Sequence, residues 1–159
     1  MQGDARVIEL LNEALKNELT AINQYWLHYR VLDNWGVDKL AEYERQESID
    51  EMKHADRIAE RILFFDGLPN FQALGRLRIG ENVEEILKAD LEAEHEGAVV
   101  YRNLIVHCEE VRDFVTRDLA LEILSDEEKH IDFIETQFEM IARMGLQNYI
   151  QLQSEAAED

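Results

Sequence analysis

The chain has few of the residues that make turns: one proline and seven glycines in 159 residues. A β-rich domain needs a turn signal every ten residues or so, and the scarcity points to long helices instead. A single cysteine, Cys108, excludes an internal disulfide and fits a reducing compartment, so a cytoplasmic location is expected. No run of about 20 apolar residues is present, which excludes a membrane-spanning helix, and no signal peptide is expected. Basic residues are short as well: 16 Lys and Arg stand against 35 Asp and Glu, a net charge of −19. That balance argues against nucleic acid, whose phosphates need a basic surface, and against an anionic membrane. It favours attraction of cations through the summed field of the surface. The length suits one domain with a substantial core, 1–159.

What is present is helical periodicity. Asp4 can cap a first helix over about 5–33. Its apolar stripe runs Ile8, Leu11, Leu15, Ile22, Tyr25, Tyr29, Leu32 in steps of three and four. Glu18 sits inside that stripe. Asp38 reads as the cap of a second helix over about 38–66, ended by Gly67 and Pro69. The stretch from Gly67 to Glu81 then looks like a long connection. Fifteen extended residues reach about 50 Å, and a helix of 28 residues is about 42 Å long. The connection can therefore run the length of a bundle and leave the second and third helices parallel. Asn82 with Glu85 reads as cap and capping-box partner of a third helix, about 82–110. A fourth spans about 114–144 and a short fifth about 147–153, with an acidic tail from Glu155. The expected fold is all-α: a four-helix bundle with one long crossover and a short C-terminal helix.

The chemistry lies in Glu51-Met52-Lys53-His54 and its echo Glu127-Glu128-Lys129-His130. Residues three apart share a helix face, so each stretch aims a carboxylate and an imidazole at one point. Adding 76 to Glu18, Tyr25, Glu51 and His54 gives Glu94, Tyr101, Glu127 and His130. One offset for four polar positions is an internal two-fold repeat of metal-type ligands. Ionised carboxylates are costly in a bundle interior unless paired or metal-bound, and no Lys or Arg lies in phase with them. Two divalent cations match the number and symmetry of Glu18, Glu51, His54, Glu94, Glu127 and His130, and the donor types suit iron, manganese or zinc. A third Glu-x-x-His, Glu92 to His95, is rejected because His95 falls about 100° off the stripe of Glu94. Tyr25 and Tyr101 are candidates for the layer around the ligands. Met52 points away from the centre. With Ile49, Ala55 and Ala59 it forms an apolar patch, beside Leu19, Asn23 and Trp26 of the first helix, that suits packing of a second subunit.

This ligand plan is that of the ferritin-like di-iron and di-manganese proteins. Within that class the chain resembles the bacterioferritins almost end to end. The resemblance is carried by Asn17-Glu18-Leu19, Ala21 to Tyr25, Glu47 to Asp56, Gly67-Leu68-Pro69-Asn70, Asp126-Glu127-Glu128, His130-Ile131-Asp132 and Gly145 to Tyr149. It implies a ferroxidase for iron storage and detoxification, using O2 or H2O2, in a shell of 24 subunits built from two-fold dimers. It implies a di-iron centre at the six residues above. It also implies a b-type haem shared between two subunits, with Met52 as axial ligand and Leu19, Ile22, Asn23 and Trp26 around it. A ferredoxin-type electron donor for iron release follows from the same resemblance. The sequence departs from it at Gln46, where many relatives have a histidine that serves an auxiliary inner-surface iron site. Ile58 and Phe133 also replace aromatic residues of some relatives. Two other readings stay open: a small di-iron oxygenase, and a haem-binding shell without ferroxidase activity.

Overall fold

The computed structural model describes residues 1–155, so the expected acidic tail lies outside the described residues from 156 onward. Four long helices and one short one account for the fold. They are α1 Ala5–Trp35, α2 Asp38–Phe64, α3 Val83–Val111, α4 Phe114–Met144 and α5 Leu146–Gln153. No strand occurs among the described residues.

The helix ends are set by local chemistry. Asp4 caps α1 by accepting from the Val7 amide at 3.0 Å. Gly36 stops it at φ 79°, where only glycine is free of strain. Two expected ends are displaced. Asp38 is the first residue of α2, not its cap. Val37 holds the cap position with no side-chain bond, and its amide closes the turn on Leu32 O at 3.0 Å. The left-handed residue after α2 is Asp66, at φ 58°, rather than Gly67. Aspartate tolerates that region, and its carboxylate there meets the N-terminal ammonium at 3.0 Å. At α3, Asn82 caps as expected, accepting from Glu85 N. The Glu85 carboxylate reaches the Glu81 amide at 2.8 Å, one residue before the cap.

Side-chain pairs fix the helix directions. Met1, ahead of α1, meets Phe64, Glu18 meets His54 and Ile22 meets Ser48, so α1 and α2 are antiparallel. Tyr25 meets Glu94 and Tyr101 meets Glu18, so α1 and α3 are antiparallel. Arg61 meets Asp113 while His54 meets Asp126, so α2 and α4 are antiparallel too. The order is up, down, down, up, which a short turn between α2 and α3 cannot make. The segment 65–82 makes it by running along α1. Amides of Asn70, Gly75, Arg78 and Gly80 donate in order to Asn12, Thr20, Gln24 and His28, at 2.8, 2.8, 3.0 and 3.1 Å. Side chains four apart on a helix share a face, and one face of α1 thus serves as the rail.

Two apolar clusters fill the bundle. One gathers Leu11, Leu15, Ile58, Ile62, Leu104 and Ile123. The other gathers Leu32, Leu40, Ile86, Leu87, Ile134 and Tyr149, with α5 closing that end through Tyr149, whose hydroxyl donates to Gln137. Between them lies a polar layer.

Candidate metal centre

In that layer all six expected ligands converge, each 7% exposed or less. The spacing explains it: Glu18 and Glu94 face across α1 and α3, while Glu51, His54, Glu127 and His130 face across α2 and α4. His54 Nδ1 lies 3.7 Å from Glu18 and Glu51 and 3.6 Å from Glu127. His130 Nδ1 lies 3.3 Å from Glu51 and Glu94. The two oxygens of Glu51 face different histidines, so this carboxylate is placed to bridge two cations. Two groups of four donors result: Glu18, Glu51, His54, Glu127 and Glu47, Glu51, Glu94, His130. Within each, the donor atoms lie within 4.8 Å of one another.

Glu47 is not among the expected ligands. Its Oε2 lies 2.8 Å from His130 Nδ1. It has no mate under the 76-residue offset, where Ile123 stands, and symmetry alone therefore could not find it. The two tyrosines bond across the bundle: Tyr25 donates to Glu94 of α3, and Tyr101 of α3 donates to Glu18. Arg61 is occupied elsewhere, by Thr116 and Asp113. His95 is exposed.

A third buried group, His28, Glu44 and Asp90, lies one helical turn further on, since Glu44 precedes Glu47 and Asp90 precedes Glu94 by about a turn. His28 Nε2 accepts from the Gly80 amide, so its Nδ1 carries the proton and donates to Asp90 at 2.9 Å. Gln24 donates to the same oxygen.

Buried polar atoms are normally hydrogen-bonded. Here Glu18 Oε2, Glu51 Oε1, His54 Nδ1, Glu94 Oε2 and Glu127 Oε1 have no hydrogen-bond partner, and all five belong to the two groups. Burial, then the Glu51 charge, pushes Glu18 and Glu127 well above the usual carboxylate range. Burial raises Glu47 to about 7. Burial also opposes charge on His54 and His130, but contacts with Glu127 and Glu18, and with Glu47 and Glu51, raise both far above an ordinary imidazole. Glu51 is the exception. Burial raises it, yet the neighbouring Glu18, His130 and His54 hold it well below the usual range. Divalent cations would displace these protons at the same donor atoms.

The centre has two unequal faces. Between α1 and α3, Asn17, Ala21, Ala93 and Gly97 leave a gap of only about 10 Å³ over Glu18, Glu51, Glu94 and Glu127. Between α2 and α4, an opening of about 580 Å³ is bordered by charged groups such as Asp50, Lys53, Asp126 and Lys129. A Cβ at Gly97 would lie 3.2 Å from Glu127 Oε2. Gly97→Ala should therefore have opposed effects. Helix propensity gains about 1 kcal/mol, while Zn(II) affinity falls about tenfold because a ligand is displaced. Calorimetric titration with Zn(II), beside thermal unfolding, measures both; undiminished affinity would remove the crowding argument.

A separate groove of about 490 Å³ lies on the α1–α2 face, bordered by Ile22, Asn23, Trp26, Leu27, Met52 and Leu77. Met52 and Trp26 are 54% and 43% exposed there, unusual for such side chains in a chain with ample core. Leu19, expected in this patch, is half-buried against the core. Leu27 and Leu77 were not expected; Leu77 arrives on the crossover, whose path no periodicity reveals.

Comparison with known proteins agrees with this architecture. The Ferritin family profile, described as a ferritin-like domain, matches residues 8–144. The chain is 49% identical to a protein named bacterioferritin from Brucella melitensis biotype 1, over 100% of this chain and 99% of the relative. It is 50% identical to the bacterioferritin of Rhodobacter capsulatus, covering 94% and 92%. The bacterioferritin of Mycobacterium avium is also 50% identical, covering 94% of each.

Proposed function

Since the chain belongs to the bacterioferritins, within the ferritin-like family, we propose that it stores iron by oxidising Fe(II) at the Glu18, Glu51, His54, Glu94, Glu127, His130 centre. The observation that carries this is the pair of buried four-donor groups joined by Glu51. Two Fe(II) ions, as substrate, take one group each and displace the protons held there. Each gives one electron. O2 accepts two electrons and two protons to become H2O2, or H2O2 accepts the same to become two waters. The ligands fix the distance between the ions, and Tyr25 and Tyr101 orient Glu94 and Glu18. Glu47 joins the His130 group and also borders the wide opening. Ferric iron then leaves by that opening into the cavity of a cytoplasmic shell of 24 subunits.

The Met52 groove fits a haem. An exposed thioether stands among Ile22, Trp26, Leu27 and Leu77, an apolar floor suited to a macrocycle, with Arg30 at its rim. Met52 from each of two subunits would hold the haem iron, and the group would supply one-electron transfer for iron release, with a ferredoxin-type donor. Size-exclusion with light scattering, recorded with the absorbance spectrum, tests the assembly. The expected result is a particle of 24 chains with a Soret band. Met52→Leu should remove that band and keep the particle. A colourless dimer would overturn the storage reading.

A further inference from the structure

The 76-residue offset relates not only the ligands but a second layer beside them. Asp50 maps onto Asp126, Lys53 onto Lys129, and Gln46 onto Glu122. If the layer were symmetric, Asp50 would serve His130 as Asp126 serves His54. The structure breaks that symmetry.

Asp126 Oδ2 lies 3.0 Å from His54 Nε2. His54 faces its donor group through the other nitrogen, Nδ1. A carboxylate on Nε2 keeps the ring proton there, leaves the Nδ1 lone pair for a cation, and fixes the plane of the ring. His130 also faces its group through Nδ1. Its Nε2 meets no acceptor among the described residues, although Asp50 borders the same opening. Asp50 is engaged elsewhere: it accepts from Gln46 Nε2 at 3.0 Å. The lysines do not make the difference, because Lys53 approaches Asp50 much as Lys129 approaches Asp126, at 4.0 and 3.4 Å. The difference is Gln46 against Glu122. An amide donates to the neighbouring aspartate; a carboxylate cannot, and Glu122 pairs with Arg57 instead. The donor groups themselves are equal in number, four and four, since Glu47 supplements the His130 side.

We propose that Asp126 is a positioning residue that makes the His54 position the tighter of the two cation positions, and that Gln46 keeps the His130 position weaker by holding Asp50 away from it. The inference rests on the metal-binding reading above and goes beyond it by ranking the two positions and naming the residues that rank them. Partners of this kind change metal affinity by roughly 10–100-fold.

The test is crystallographic occupancy under limiting metal. Metal-free crystals receive one equivalent of Zn(II) per subunit, and anomalous peaks at the two positions are compared. The native chain should fill the His54 position at least about tenfold in preference. Asp126→Ala should lower that peak, and Asp126→Asn, which keeps an acceptor oxygen, should restore part of it. Gln46→Ala should raise the His130 peak at the expense of the other, since one equivalent is shared between them, and Gln46→Glu, which copies Glu122, should do the same. Gln46 is exposed, so its removal leaves the fold intact. Equal peaks in the native chain, or a ratio that ignores both sets of variants, would overturn the proposal. No peak at either position would overturn the metal reading itself, a distinguishable failure.

Discussion

Replacing Glu127 and His130 together by alanine is expected to abolish the fast phase of Fe(II) oxidation and leave the assembled particle intact. The pair removes a donor from each cation group at once: Glu127 from the His54 group and His130 from the other. Loss of partners that merely orient ligands costs about 10–100-fold in affinity or activity, so loss of two ligands should cost at least roughly 100-fold in initial rate. The fold should survive. Ile123, Leu124 and Ile134 of the same helix remain packed in the core. The change also removes two groups whose charge in the bundle interior is opposed by burial. Stopped-flow oxidation and light scattering on the same sample separate the outcomes. An unchanged rate in an intact particle would sink the proposed centre.

Stability of the metal-free protein should fall as pH rises from about 5 to 8, and Zn(II) should reverse the trend. Glu47 is held up to about 7 against an ordinary 4.5. Between those values the folded state keeps a proton that the unfolded chain has lost, so this contribution is complete below 4.5 and gone above about 7. The difference is worth about 3 kcal/mol, or roughly 6–12 °C in a chain of this size. Glu18 and Glu127, also raised, act in the same sense. His54 and His130 do too: their raised values give stability that is full below 6.5 and declines above it. Within the donor groups Glu51 runs opposite, and its contribution is lost only as pH falls below the ordinary carboxylate range. Zn(II) replaces the protons, so its stabilisation should grow with pH. Thermal unfolding at several pH values, with and without Zn(II), measures this. A metal-free protein that gains stability towards pH 8 would contradict the proton-held centre.

Much of this was legible in the residues. The bundle followed from stripes such as Ile8 to Leu32 and from the missing turn residues, and the long crossover from the distance between Gly67 and Asn82. The six converging side chains were legible because repetition at one offset separates a candidate ligand from a stray surface carboxylate. Residues without a mate were not. Glu47 answers to Ile123 and escaped for that reason. Asp126 lies off the apolar stripe, and only the fold shows that His54 reaches it. Gln24 and His28 are oriented towards Asp90 by amides of segment 65–82, a path written in the backbone rather than in side-chain period.

The His28, Glu44, Asp90 group bears on what kind of duplication this chain embodies. Its positions map by the offset onto Leu104, Ala120 and Ala14, all buried and apolar. The polar triad draws His28 and Glu44 from the first hairpin and Asp90 from the second. A protein made of the first hairpin twice would bury two His28 and Glu44 pairs against Ala14, with no aspartate to meet them. One made of the second hairpin twice would bury two Asp90 carboxylates against leucine and alanine. Either self-pairing leaves uncompensated polar groups in the interior, at a cost of several kcal/mol. The halves have thus diverged into a lock and its key, and each hairpin now selects the other over a copy of itself.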